Sequence, residues 1–367
     1  MQIEIYDMSA DGENISIQLT AVCDSFSSLL WDVQYYGCGS FEIYIAATPP
    51  NLAAFMPGRI VGRDDDKDHY GIIENIKLET DAENGDYLTV TGRFLMSLLS
   101  RRIIYPTLSF TSLTSYADIV RMAVYQNAMK SGNRLIPSLQ QGSVSGTCWE
   151  QKARLQVGYD NLMDWIYKIC EITGGTANIR LEETTNGNYA LYFDLSQGTN
   201  RSIYQEENAH IVFSDSYCNL LTFDYSADFT SQINTAYVLG VDDKQTVAFN
   251  GSEPSFLERY EVFIDADNIK QEAKIDGETV PISDEEYTAL LVEKGTEHFV
   301  YPTEITESTI AVDGKQYQYN KDYFVGDYVT VEHHRFGLIQ PRIQLIGMIE
   351  SYDQNGRTLT PTFRTGA

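Results

Sequence analysis

Gly71-Ile72-Ile73-Glu74-Asn75-Ile76-Lys77-Leu78, a turn at Asn84-Gly85 and the run Tyr87-Leu88-Thr89-Val90-Thr91 carry the reading of the fold, because the same order returns near the C-terminus. There the chain reads Gly347-Met348-Ile349-Glu350, Asn355-Gly356 and Leu359-Thr360-Pro361-Thr362. Alternating apolar and polar residues place side chains on opposite faces of a strand. Asn-Gly accepts the positive φ of a tight hairpin, so each stretch predicts two antiparallel strands joined by a short turn.

Working outward, earlier signatures also pair up. Leu19-Thr20, Phe26-Ser27-Ser28, Leu30 and Gly37 match Leu221-Thr222, Phe229-Thr230-Ser231, Ile233 and Gly240. Gly58-Arg59-Ile60-Val61 matches Gly326-Asp327-Tyr328-Val329. The order is preserved while the gaps differ, which predicts a duplicated β-unit with an insertion between Gly240 and Gly326 in the second copy. Ile15, Ile17 and Leu19, and Phe41, Ile43 and Ile45, alternate in the same way, and a short helix over 94–101 closes the first copy. Two related antiparallel units suggest two small barrels or sandwiches, and closing a sheet into a barrel removes its exposed edges.

Between the copies the period changes. Ser115-Tyr116-Ala117-Asp118 reads as a capped helix start, followed by Ile119, Val120 and Ala123 on one face. A second helix over 160–173 carries Leu162, Trp165, Ile166, Ile169 and Cys170, and Gly174-Gly175 ends it. Strands over 177–182 and 189–195 follow, joined around Asn186-Gly187-Asn188. A further helix over 284–298 opens at Ser283 with acidic residues in its first turn. The expected fold is therefore mainly β with an α+β middle domain. It comprises a β-barrel unit over 1–104, an α+β unit over 105–216 and a second β-barrel unit over 217–367, with an insertion at about 244–300.

The 367 residues hold 26 Lys+Arg against 52 Asp+Glu, a formal charge of −26, and 43% are hydrophobic. At about 150 residues per domain this length suits two or three packed domains. The charge argues against a nucleic-acid recognition face and against anionic lipid, whose binders are basic. No run approaches the roughly 18 apolar residues of a membrane span. The N-terminus lacks a signal-peptide pattern, so synthesis in the cytosol is expected. Five widely spaced cysteines without a CxxC read as buried free thiols.

Catalytic chemistry finds no motif. His69, His210, His298, His333 and His334 include no zinc-ligand spacing, and Glu332-His333-His334 reads as an exposed loop. Asp64-Asp65-Asp66-Lys67-Asp68 offers oxygens for calcium but lacks the EF-hand spacing, so it reads as a solvated loop. Gly37-Cys38-Gly39 is a turn, and no histidine is identified to activate Cys38. Trp165 lies on a core stripe. With 52 acidic residues nothing selects a glycosidase pair. No catalytic, cofactor-binding or metal site is expected.

The runs Leu30-Trp31-Asp32-Val33-Gln34-Tyr35-Tyr36-Gly37 and Gly39-Ser40-Phe41-Glu42-Ile43-Tyr44-Ile45 resemble siphovirus tail proteins of the Gp37-like group. So do Gly71-Ile72-Ile73-Glu74-Asn75-Ile76, Val90-Thr91-Gly92-Arg93-Phe94-Leu95 and Leu98-Leu99-Ser100-Arg101-Arg102. Asp322-Tyr323-Phe324-Val325-Gly326-Asp327-Tyr328-Val329-Thr330-Val331 is similar to a recurring feature of tail-tip and baseplate hub proteins. The resemblance implies a hub-type, non-enzymatic component of a phage or prophage tail tip, made in the host cytoplasm. It further implies a homotrimer, whose barrels form a pseudo-six-fold ring around passing DNA that is not specifically bound. Its neighbours would be a distal tail or tube protein and tip or tail-fibre proteins. Two other classes compete: a tail-associated cell-wall hydrolase, and a module that binds host glycan or protein through 244–300.

Overall fold

The computed structural model describes residues 1–11, 14–81, 85–130, 132–184, 189–275, 278–310 and 316–365. The N-terminal block contains β1 (Ile3–Asp11), β2 (Asn14–Cys23), β3 (Ser28–Gln34), β4 (Ser40–Ala46), a short helix α1 (Pro49–Ala54), β5 (Ile60–Arg63), β6 (Asp66–Asp81) and β7 (Gly85–Phe94). Alternation does what the pattern requires. Leu29, Trp31 and Val33 of β3 and Phe41, Ile43 and Ile45 of β4 point into one core with Leu88, Val90 and Phe94 of β7. Gly85 has φ +92°, as a tight turn demands, while Asn84 lies outside the described residues.

A 3-10 turn, Leu95–Arg101, leads into the middle block. This holds β8 (Leu108–Ser115), α2 (Tyr116–Val124), β9 (Leu139–Val144), β10 (Lys152–Val157), α3 (Leu162–Thr173), β11 (Thr176–Glu183) and β12 (Tyr189–Ser196). Ser115 caps α2 by accepting from the Asp118 N–H. Asn161, one residue inside the expected boundary, caps α3, and Gly174 ends it at φ +77°. Trp165 is buried on the apolar face of α3, as its spacing predicts. The Asn186-Gly187-Asn188 turn lies outside the described residues. Helices α2 and α3 bury their faces against the three-stranded sheet β11-β12-β9 and against Leu95, Leu98 and Leu99.

The C-terminal block contains β13 (Val212–Ser214), β14 (Leu220–Asp228), β15 (Thr235–Leu239), β16 (Gln245–Phe249), β17 (Glu261–Asp265), β18 (Glu272–Ile275), β19 (Glu278–Pro281), α4 (Asp284–Thr296), β20 (Thr303–Ile310), β21 (Tyr328–His333), β22 (Leu338–Asp353) and β23 (Gly356–Arg364). Ser283 and Glu286 form a reciprocal capping box at the start of α4. Strands β15–β17 make a separate sheet on which α4 packs through Tyr287, Leu290 and Leu291. Gly295 lets α4 lie flush there, since a Cβ would stand 2.6 Å from that of Ala248.

The duplication lies in the pairing order. The first block runs β3-β4-β7-β6-β5-β1, and the second runs β14-β20-β23-β22-β21-β13. Even the irregularities coincide. The β6–β7 register shifts between Ile73 and Asn75 where Gly92 and Thr91 oppose them, and β22–β23 shifts between Leu345 and Gly347 opposite Phe363 and Thr362. Likewise β5 shifts after Val61 and β21 after Val329. The copies differ at one edge: β1 pairs antiparallel to β5, whereas β13 pairs parallel to β21.

Three expectations change. The two blocks do not form closed barrels: β22 pairs with β3, joining both into one open sheet of 13 strands whose main path ends at β14 and β2. The strand bearing Leu221-Thr222 corresponds to β3, not to the strand bearing Leu19-Thr20, because each is the partner of its block's equivalent of β4. Phe229, Ile233 and Gly240 therefore lie outside the duplicated sheet, and the insertion falls between β14 and β20. Finally, Gly71 corresponds to Ile343 rather than Gly347, since they oppose Val61 and Val329 respectively. Local dipeptides fit any strand; only cross-strand partners define equivalence.

Candidate functional site

The seam between the two blocks is held by β3 and β22, with Trp31 opposite Glu350 and Val33 opposite Met348. Glu350 is fully buried, and so is Arg63 on β5. Arg63 Nη1 donates to Glu350 Oε1 at 2.9 Å and Nη2 to the Tyr352 hydroxyl at 3.1 Å. Arg357 Nε donates to Glu350 Oε2 at 3.0 Å. Arg63 also reaches back to Asp65 with two bonds of 2.9 Å. The Arg63 guanidinium lies 5.5 Å from the Trp31 ring and 5.3 Å from Tyr352. Burial works against its charge, but Asp65 and Glu350 hold its pKa above the usual arginine value.

Next to this pair, Trp31 Nε1 donates to Asp66 Oδ2 at 3.0 Å, and Asp66 also lies 2.9 Å from His69 Nδ1. Burial pushes the Asp66 carboxyl up, but His69, the backbone N–H of Asp68 and Arg63 hold it down to about 2. His69 is raised by the same contact against its own burial. The expected solvated run 64–68 holds at Asp64, Asp65, Lys67 and Asp68, which are exposed, and is corrected at Asp66, which is 4% exposed and serves Trp31 and His69, while Asp65 also serves Arg63. Among the described residues no three His, Cys, Asp or Glu side chains gather as a metal site would need.

The face of the sheet opposite this core is open around the seam. Across it run Leu30, Glu42, Thr91 and Asn75, paired in sequence from β3 through β4 and β7 to β6. The second copy places Asp224, Glu307, Thr362 and Gly347 at the same points. Glu42 and Glu307 are exposed at equivalent positions, each beside a threonine. Asp32, opposite Ile349 and Ser40, adds a carboxyl that burial raises despite a hydrogen bond from Gln34. Arg93 is tied to Glu74 by bonds of 2.8 and 2.9 Å. This surface is shallow and open, with the carboxylates of Asp32, Glu42 and Glu74 set among the exposed apolar side chains of Leu30 and Ile349, and it does not enclose a small substrate.

The other residues singled out from sequence are dispersed. His333 is not in an exposed loop: it ends β21, stacks on Phe336 at 4.5 Å, meets the tilted Phe223 ring at 4.9 Å, and points Nδ1 toward Asp215 at 3.8 Å. His334 is exposed and meets Asp215 and Ser216. The Cys38 thiol donates to the Phe94 carbonyl, and burial pushes it up to about 12, far from a thiolate nucleophile. All five cysteines are unpaired; Cys23, Cys148 and Cys170 are buried, but Cys218 is exposed. Sequence reasoning missed the Arg63–Glu350 seam. The signal available was a lone arginine in the apolar strand Ile60–Arg63, whose partner no local pattern could identify.

No curated protein matches the chain in sequence. Solved structures do share its fold. A tail protein from Neisseria meningitidis MC58 superposes with a TM-score of 0.57 at 12% identity, covering 94% of this chain and 93% of its own. The 43 kDa tail protein of prophage MuSo2 from Shewanella oneidensis gives 0.52 at 10% identity over 99% and 98%. Prophage tail protein gp18 from Listeria monocytogenes EGD-e gives 0.52 at 11% identity over 99% and 94%. The siphovirus ReqiPepy6 Gp37-like family model matches residues 2–363, and with a two-copy β-sheet fold shared with prophage tail proteins, the chain belongs to that family.

Proposed function

We propose that this protein is a structural, non-catalytic hub of a phage tail tip. Three chains would set six related β-blocks in a ring between a distal tail or tube protein and tip or fibre proteins. The observation that carries this reading is the repeated exposed carboxylate: Glu42 and Glu307 stand at equivalent points of two blocks sharing one sheet. In a trimer such positions form a six-membered acidic circle, and the formal charge totals 3 × −26 = −78. A wall of that sign repels phosphate and lets DNA pass without adhering. In this reading 1–104 and 217–367 are the ring units and 105–216 the domain between them. Solution mass with low-resolution imaging tests it: a ring of three chains with an acidic lumen is expected, and a basic or neutral lumen overturns it. Incubation with purified peptidoglycan should release no fragments.

The inserted unit supports a second role. Phe256 and Leu257 are each 94% exposed on the loop between β16 and β17. Side chains so apolar and so open suit contact with a neighbouring tail protein or a host surface. Removing the unit should impair tail assembly in the first case and host adsorption alone in the second.

A further inference from the structure

The seam inside the chain has an unmade counterpart. In the seam, β3 of the first block lies against the edge of β22 of the second. The equivalents of these strands are β14 and β6. Among the described residues β14 pairs only with β20, and β6 beyond Ile73 pairs only with β7, so both carry one free edge. Transferring the seam's register through the duplication sets Asn75 opposite Asp228 and Thr80 opposite Phe223. The chain cannot close this contact upon itself while β22 and β3 occupy the seam between its blocks, so a second copy is the partner.

The side chains fit that pairing. On the core side it places Ile76 beside Ala227 and Leu78 beside Tyr225. Ile76 already packs on the first block's core and Phe223 on the second's, so these rows continue buried faces. Leu78 is 57% exposed and Tyr225 37%, whereas their seam equivalents, Glu350 and Trp31, are fully buried. The opposite side holds Lys77 opposite Ser226 and Glu79 opposite Asp224, all exposed in the single chain; the like-charged pair weighs against the joint, and Lys77, which already pairs with Glu79 at 2.8 Å, stands beside it as a counter-charge. An aromatic against an aliphatic residue is a favourable cross-strand pair, and a free edge with an apolar face invites strand addition.

We propose that residues 75–80 of β6 pair antiparallel with β14 of a second copy, with Leu78 opposite Tyr225, forming the joint between chains in the ring. The inference rests on the ring reading for the number of chains, but the edge and register come from the seam. The contact is head-to-tail, so it excludes a two-fold dimer and, in the ring reading, repeats from chain to chain until the circle closes.

The test is oxidative cross-linking of the full chain carrying Cys218→Ser, Leu78→Cys and Tyr225→Cys. A covalent ladder ending in a ring is expected. Mixing the two single-cysteine variants should give only cross-linked pairs of unlike chains, and Leu78→Cys with Asp224→Cys, slipped by one residue, should give none. Cross-linking of Leu78→Cys chains to each other overturns the proposal. A ring-sized mass without the cross-link overturns the edge and leaves the ring reading standing, while a monomer that never cross-links overturns both. A cross-linked ring of other than three chains supports the edge and overturns the trimer. Leu78→Lys, at an exposed position of the single chain, should leave the melting temperature of the monomer unchanged and weaken association roughly a hundredfold, since an unpaired charge would be buried.

Discussion

Arg63 and Glu350, 287 residues apart in the chain, meet as a fully buried ion pair at 2.9 Å. Their contact ties β5 of the first block to β22 of the second. A buried pair of this kind is weak evidence for stability compared with an apolar pair, but removing one partner strands the other. Glu350→Gln should therefore destabilise the sheet by about 3–5 kcal/mol, because Arg63 and Arg357 lose the carboxylate they share. Replacing Arg63 and Glu350 together by Met and Leu should recover part of that loss. Urea unfolding followed by tryptophan fluorescence reads both; an unchanged midpoint for Glu350→Gln would show the seam is not held there.

Asp66 and His69 predict a pH dependence with two limbs. The lowered Asp66 contributes stability above its unfolded value of about 3.9 and loses it as pH falls toward about 2. The raised His69 contributes fully below its unfolded value of about 6.5 and loses its part as pH rises through its folded value. Melting temperatures across pH should therefore fall at both ends. His69→Gln should flatten the alkaline limb relative to the parent while Trp31 keeps its bond to Asp66. If parent and variant fall in parallel above neutrality, His69 is not the group responsible.

The legible parts of the fold are those written in local pattern. Period-two runs located β2, β4, β7 and β23, and the Ser115 and Ser283 caps located two helix starts. The joining of the blocks was not legible. Whether β22 closes upon its own block or pairs with β3 depends on contacts across 287 residues that leave no local mark. The charged run 64–68 misled at Asp66 alone, and for the same reason: a carboxylate reads as solvated unless its partners are known, and those of Asp66 include Trp31, 35 residues earlier. The net charge of −26 was legible in the composition, but the equivalence of Glu42 and Glu307 on the open face of the sheet needed the register.

Gly92 tests the packing beneath that face. A Cβ there would stand 1.9 Å from the Ile72 carbonyl oxygen and 2.7 Å from the Phe41 ring, which also lies against Gly71. The ring covers both glycines because neither offers a side chain. Neither the backbone of β6 nor a ring locked beside Trp31 can move away cheaply. Gly92→Ala should cost roughly 2–3 kcal/mol, and Phe41→Leu in the same chain should recover part of it by relieving the ring contact. Thermal melts of the single and double variants decide this; equal losses would place the clash with the Ile72 backbone alone.

The acidic wall makes the most direct functional prediction. Glu42 and Glu307 are exposed at equivalent sites, so replacing both by lysine should leave the fold intact while changing the charge of each chain by +4. In a ring of three chains this converts a repelling circle into an attracting one. The parent protein should show no binding to a duplex DNA fragment by fluorescence anisotropy. The double variant should bind at low salt and release as salt rises, because counterion release governs such contacts. Tails assembled with the variant should then eject DNA more slowly than parental tails. Binding by the parent protein at low salt would remove the acidic face as a passage wall, and a variant that neither binds DNA nor slows ejection would show that these two carboxylates do not face the DNA.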